Sequence, residues 1–404
     1  MYIKRTLESI IELTSNSFPV TLITGPRQVG KTTILKNFKD SINYVSLDDL
    51  ELREFAKNDP KLFLEKYSYP LLIDEVQYAP NLFTYIKINV DKENKEGMYY
   101  LTGSQQFSMM KNVSESLAGR VGILNLQGLS QAEKYNQPNN PPFLPTNEYV
   151  KEQSERNMRI DIHKLYEIIW RGSFPKLVSN NNVDWNIFYS SYLQTYLERD
   201  IRQLSVVNES LFLKFVTILA ARTGQELNYT NIANDVGVSQ TTIKSWVSLL
   251  NTSGLIYLVK PYYNNITNRM IKTPKLYFLD TGLVAYLTKY QTPEILENGA
   301  LSGSILETYV VSEILKSYWH NGKQQDLYFY RDKDKKEIDL IIEQNGKLYP
   351  VEIKRKSNPN RDDIRNFNVL EKFNKPIGEG AVICLAENDL PITNKINRIP
   401  IGYL

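Results

Sequence analysis

The segment Gly25-Pro26-Arg27-Gln28-Val29-Gly30-Lys31-Thr32-Thr33 constrains this chain more than any other stretch. It carries the spacing G-x-x-x-x-G-K-T. The apolar run Val20-Thr21-Leu22-Ile23 precedes it and reads as a buried strand, while Ile34, Leu35 and Phe38 follow at helical spacing. A glycine turn between a strand and a helix aims successive backbone N–H groups, and the positive end of the helix, at one point in space. Such a point binds phosphate. Gly25 and Gly30 permit the backbone angles this needs. Lys31 can reach the outer phosphates of a nucleotide, and the Thr32 hydroxyl can ligate Mg²⁺.

A chain of 404 residues suggests roughly two to four domains. The net charge of +3 is too small to argue by itself for a nucleic-acid partner. One cysteine, Cys384, excludes an intramolecular disulfide and a zinc site built from cysteines. Met1-Tyr2-Ile3-Lys4-Arg5 has no apolar signal core, and no apolar run approaches the length of a membrane span. A cytoplasmic protein without a membrane partner is expected.

The strand pattern continues after the glycine loop. Tyr44 to Leu47 is a short strand, and Leu71-Leu72-Ile73 is another, capped by Asp74-Glu75. An apolar strand ending in two carboxylates after such a loop is the Walker B arrangement. Asp74 is expected to hold the Mg²⁺ shell and Glu75 to act as general base toward the attacking water. Tyr99-Tyr100-Leu101-Thr102 runs into Gly103-Ser104. A polar residue there can contact the γ-phosphate or the water, and of Thr102 and Ser104 the choice falls on Ser104. Val121 to Leu126 is a fifth strand, and Arg120 just before it can reach a phosphate in its own or a neighbouring subunit, or lie on the surface. Strands alternating with helical segments predict an α/β fold, a parallel sheet with helices on both faces that binds ligands at its C-terminal edge.

Asn136 to Asn147 is rich in Asn and Pro and predicts a loop or a disordered insertion. Helical periodicity resumes near Ile162, turns at Arg171-Gly172-Ser173-Phe174-Pro175, and returns in a helix with an aromatic stripe that ends at Arg199 and Asp200. Between residues 208 and 262, a helix, a second helix, a Gly237 turn, a third helix and a strand predict a winged helix-turn-helix. Its third helix would present Gln240, Thr241, Thr242, Lys244 and Ser245 to DNA, with Lys260, Arg269, Lys272 and Lys275 available for phosphate contacts. Packing on other domains without DNA is the plainer alternative.

Further on, a helix bears Glu307, one strand carries Asp339, and the next carries Glu352-Ile353-Lys354. Residues two apart in a strand share a face, so Glu352 and Lys354 point together. Two carboxylates suit Mg²⁺, and a neighbouring lysine can orient water. Glu307 would support them. This D…E-x-K set occurs in restriction-endonuclease-like folds, where it either cuts DNA or survives as an inactive ion pair.

The glycine loop, Leu72-Ile73-Asp74-Glu75-Val76-Gln77, Leu101-Thr102-Gly103-Ser104, Gly119-Arg120-Val121, Arg171 to Pro175 and the Asp339/Glu352/Lys354 set stand in one order. Together they resemble a family of bacterial and archaeal AAA-type ATPases with a C-terminal domain of unknown function that is similar to restriction endonucleases. The resemblance implies ATP and Mg²⁺ at Gly25–Thr33, a winged helix in the middle, and a nuclease-like end. The expected layout is an ATPase core over 1–135, a linker and helical lid over 136–207, a winged helix over 208–272 and the D…ExK domain over 273–404. The expected function is ATP hydrolysis coupled to a DNA-directed C-terminal half, in a chain that can form homo-oligomers. The alternatives are a Mg²⁺-dependent nuclease regulated by ATP, and an ATP-gated binding module with little turnover.

Overall fold

The computed structural model describes residues 2–38, 41–103, 113, 115–156, 158–196, 208–265, 269 and 272–404. Five strands form the first sheet: β1 (Val20–Thr24), β2 (Asn43–Ser46), β3 (Leu71–Asp74), β4 (Tyr99–Thr102) and β5 (Val121–Asn125). Their order is β2-β3-β4-β1-β5, and every pairing is parallel. β1 lies between β4 and β5 and is buried throughout, which explains its largely apolar character. Its side chains still sort by parity. Ile23 faces the layer that holds Leu7 and Ile11 of the helix Leu7–Ser15, while Val20 and Leu22 face the layer of the helix Leu82–Glu93.

Register decides what shares an edge. Ile23 lies beside Thr102, Ile73 beside Leu101, and Ser46 beside Asp74. The loop after β1, the acids after β3 and the end of β4 therefore converge at one edge. Val20 lies beside Val121, so Arg120 is at the opposite edge.

Residues 136–146 have the irregular backbone their composition predicts, with Asn147 opening the helix Asn147–Arg156, but they are anchored. Phe143 is buried against Tyr149, its carbonyl accepts from Tyr318, and the Asn140 side chain accepts from Gln153. The helices Ile162–Arg171 and Trp185–Tyr196 follow. Arg199 and Asp200 lie outside the described residues.

A second sheet has nine strands among the described residues. They are β6 (Gln225–Glu226), β7 (Ile256–Pro261), β8 (Lys275–Phe278), β9 (Leu327–Arg331), β10 (Glu337–Gln344), β11 (Lys347–Lys354), β12 (Gly380–Cys384), β13 (Leu390–Pro391) and β14 (Ile396–Pro400). The order is β13-β14-β12-β11-β10-β9-β7-β8-β6. The helices Glu209–Ala221, Tyr229–Val236 and Gln240–Thr252 precede β7, and Gly237 closes the second of them in the left-handed conformation at φ 89°. β7 pairs antiparallel with β8 over four positions and parallel with β9 through Lys260–Tyr328 and Pro261–Phe329. The boundary expected between 272 and 273 thus falls between two strands of one sheet. β8 belongs with β7, a pairing that local sequence does not reveal.

Candidate functional site

The loop after β1 turns tightly against the end of β5. At Gly25 φ is 139°, and a Cβ there would lie 2.0 Å from the Leu126 carbonyl oxygen. Only glycine fits. Gly30, at φ 95°, starts the helix Lys31–Lys36. The Lys31 amine donates to the carbonyls of Gly25 (3.0 Å) and Pro26 (2.7 Å) and so folds back into the loop.

Asp74 is buried at the adjoining strand end and accepts from Thr32 Oγ1 at 2.8 Å, from Thr102 Oγ1, and from Tyr44 at 3.3 Å. Glu75 follows in the left-handed conformation, φ 56° and ψ 43°, which turns its side chain away from the strand direction. Its backbone N–H donates to Thr102 Oγ1 at 3.3 Å, and its carboxylate accepts from Gln77 Nε2. Thr32, Asp74, Glu75 and Thr102 therefore meet beside the glycine loop. Thr102 Oγ1 bridges the Asp74 carboxylate and the Glu75 backbone N–H. The expected contributor, Ser104, lies outside the described residues.

Arg120 lies away from the glycine loop. Its guanidinium holds Asp91 through Nε (2.5 Å) and Nη2 (3.0 Å), partly exposed at the sheet edge away from Gly25. Residues that precede a strand of this parallel sheet lie opposite the edge that carries the glycine loop, so Arg120 is remote from the loop of its own chain.

Sequence reasoning missed Arg5. It is buried, and it donates through Nη1 to the Val29 carbonyl (3.0 Å) and through Nη2 to the Gln127 carbonyl (2.7 Å). Its Nε stands 3.1 Å from the fully buried Glu133. Burial alone would raise the Glu133 carboxyl, but Arg5 and His320 outweigh it and hold it well below the ordinary range. His320 Nε2 accepts the Gln127 N–H, and its Nδ1 is 3.3 Å from Glu133. Burial holds the ring below its usual pKa. A cavity of about 270 Å³ opens beside the loop, lined by Tyr2, Ile3 and Arg5, by Gly30, Thr33, Ile34 and Asn37, and by Pro175 and Lys176. Apolar walls with a few polar groups next to a phosphate-binding loop suit a planar base.

The second constellation also assembles. Leu340 lies opposite Val351, which brings Asp339 to the Glu352 end of β11, and Asp339 Oδ2 accepts the Ile353 N–H at 2.8 Å. Lys354 Nζ is 2.5 Å from Glu352 and 3.9 Å from Asp339. Burial, then the Asp339 charge, pushes Glu352 up to about 8. Burial also raises Asp339 and Glu307. Three residues unforeseen in this role join them: Lys275, Tyr277 and Glu337. Among the described residues, no group of three or more His, Cys, Asp or Glu side chains is placed to hold a metal ion.

The basic cluster expected for phosphate contacts is largely consumed inside the fold. Lys275 is buried among carboxylates, and buried Arg269 pairs with Glu343 over the Tyr262 ring. Lys272 is exposed and Lys260 partly so. On the helix Gln240–Thr252, Gln240, Thr241, Lys244 and Ser245 are exposed, while Thr242 is half-buried beside its capping Ser239. No helix among the described residues is long and apolar enough to cross a membrane.

Comparison with known families places an AAA domain at residues 17–135. Residues 162–294 and 302–404 match two domains of unknown function, DUF8612 and DUF4143. An uncharacterized protein of Mycobacterium tuberculosis is 27% identical over 388 residues, 95% of this chain and 80% of that protein. One of Haemophilus influenzae is 24% identical over 374 residues, 86% of this chain and 85% of that protein. Among solved structures, a Walker-type ATPase of Pyrococcus abyssi aligns over 71% of this chain and 96% of its own, at 15% identity and a TM-score of 0.46.

Proposed function

We propose that this protein binds and hydrolyses ATP at its AAA domain and couples that cycle to a DNA-directed C-terminal half. The observation that carries the first part is the meeting of Thr32, Asp74, Glu75 and Thr102 at the glycine loop. Backbone N–H groups of the loop bind the phosphates, Lys31 leaves its carbonyl partners for the outer phosphates, and the neighbouring cavity takes the base. Thr32 and Asp74 are adjacent oxygen donors and fit Mg²⁺, which when bound neutralises charge on the phosphates. Glu75 takes the proton of the attacking water as it adds to the γ-phosphorus, while the bond from that phosphorus to the β,γ-bridging oxygen breaks and ADP leaves with the electron pair. Gln77 and Thr102 hold Glu75 for that step.

Two variants test this. Lys31→Ala should lose most ATP affinity in a nucleotide-binding titration, and unchanged affinity and turnover would refute the assignment. Glu75→Gln should keep affinity but lose turnover by roughly 10²- to 10⁴-fold, the range for removal of a general base.

The DNA-directed part rests on element order. The helices between 209 and 252, with β6 between the first two and the β7–β8 pair after the third, follow the winged-helix plan and leave Gln240, Thr241 and Lys244 exposed. The helix Ser302–Trp319, the antiparallel β9–β10–β11 and the parallel β12 follow the restriction-endonuclease-like plan. DNA affinity that falls steeply with salt and stimulation of ATP turnover by DNA are expected. Binding that is flat with salt removes this half of the reading. Mg²⁺ does not fit the second acidic cluster as it stands, because two ammonium groups already lie among its carboxylates.

A further inference from the structure

We infer that Lys275 supplies an internal ammonium in place of a divalent cation in the acidic cluster of the second sheet, so that this cluster binds no metal and cuts no phosphodiester. The inference rests on the restriction-endonuclease-like reading of the C-terminal half and is independent of ATP hydrolysis.

Lys275 opens β8, opposite Val259 of β7 on one side and Glu226 of β6 on the other. Its side chain is 4% exposed. Its Nζ lies 2.6 Å from Glu337 Oε1 and 3.3 Å from Glu307 Oε1. The same Glu307 oxygen accepts from Tyr277, two residues along β8, at 2.5 Å. One strand thus delivers two donors to the helix-borne acid that was expected to support a metal. The other acids are served from β11. Lys354 stands 2.5 Å from Glu352 Oε1, and Asp339 Oδ2 accepts the Ile353 N–H.

Buried carboxylates require compensation by opposite charge and hydrogen bonds. A metal can provide it, but it must gather its oxygens at about 2.1 Å with no competing cation in the shell. Here Lys275 supplies positive charge to Glu307 and Glu337, and Lys354 supplies it to Glu352 and Asp339. A divalent ion among them would meet like charge at a few ångströms in a low-dielectric setting. Lys354 belongs to the E-x-K pattern itself, whereas Lys275 arrives from outside the pattern. It is brought in because β7 joins β8 to β9 in one sheet.

The test is Mn²⁺ binding to the full chain without nucleotide, read from the free-ion paramagnetic signal. Wild type should bind no Mn²⁺ that Asp339→Asn removes up to about 1 mM, the weak end of carboxylate sites for divalent ions. Lys275→Met removes the ammonium and keeps the side-chain length. Confirmed folded by a cooperative melt, it should gain one Mn²⁺ per chain at least tenfold more tightly, and Lys275→Met with Asp339→Asn should lose it. Lys275→Arg should stay folded and metal-free. One Mn²⁺ on wild type that Asp339→Asn removes overturns the inference, as does a folded Lys275→Met that gains none. Should Lys275→Met not fold, the comparison of wild type with Asp339→Asn still decides. ATP turnover enters none of these readings, so failure here is separable from failure of the ATPase assignment.

Discussion

At Gly25 a single hydrogen atom in place of a methyl group decides whether the loop can close. The backbone there takes φ 139°, a region essentially reserved for glycine, and the Leu126 carbonyl occupies the place of a Cβ. Gly25→Ala is therefore expected to cost roughly 1–3 kcal/mol in backbone strain before any movement of Leu126. It should lower ATP affinity at least tenfold, because the strained atoms are the ones that aim N–H groups at phosphate. Thermal melts and a nucleotide titration check it, and an alanine variant with native affinity would show that the loop accommodates a side chain. Glycines at this spacing were legible in the sequence because the chemistry of the turn is local. Thr102 was not. Its role depends on β4 lying beside β3, and Thr102 and Ser104 look alike as strand-end residues.

At the scale of elements, the segment before the first helix, the helix Gln131–Lys134 and the end of the helix Ser302–Trp319 meet through Arg5, Glu133 and His320. Arg5 also holds Val29 of the glycine loop, so this junction links the nucleotide loop to the helix that bears Glu307. Breaking a buried ion pair by removing one partner costs roughly 3–5 kcal/mol. Glu133→Gln should lower stability by an amount of that order near pH 7. The sign of its pH dependence follows from the depressed Glu133 carboxyl. A carboxylate whose folded value lies below its unfolded value adds stability above the unfolded value, and that stability is lost as pH falls through the folded one. The gap between wild type and Glu133→Gln in denaturant melts should therefore narrow as pH drops below about 4.5, the ordinary glutamate range. A gap constant down to pH 3 would count against the ion pair. Arg5 carried no sequence signal beyond being a charge near the start of a helix, since its partners lie up to 128 positions away along the chain.

Over the whole molecule, the halves share one apolar core. Leu7, Ile23 and Leu124 of the first 135 residues belong to the same buried cluster as Phe215, Ile314 and Leu404. Gln131 donates to the carbonyls of Ile401, Gly402 and Leu404, which seals the last residues against the first domain. A cut after residue 272 would remove β8 from between β6 and β7 and strip this core. The fragment 1–272 is expected to aggregate or to melt without cooperativity in circular dichroism. A cooperative melt from that fragment would show that the first three segments fold alone.

The sequence by itself determined the glycine loop, the Asp74–Glu75 pair, the parallel five-stranded sheet and the helix order of the middle segment. These rest on turn chemistry and on the periods of strand and helix, which act over a few residues. Only the tertiary structure decided that Arg120 faces away from its own site, that Arg5 braces the loop, and that Arg269 and Lys275 serve buried acids instead of an outer basic face. A charged residue reads alike in sequence whether water or a carboxylate compensates it. Its partner is chosen by sheet order and helix packing, and those bring together positions far apart along the chain.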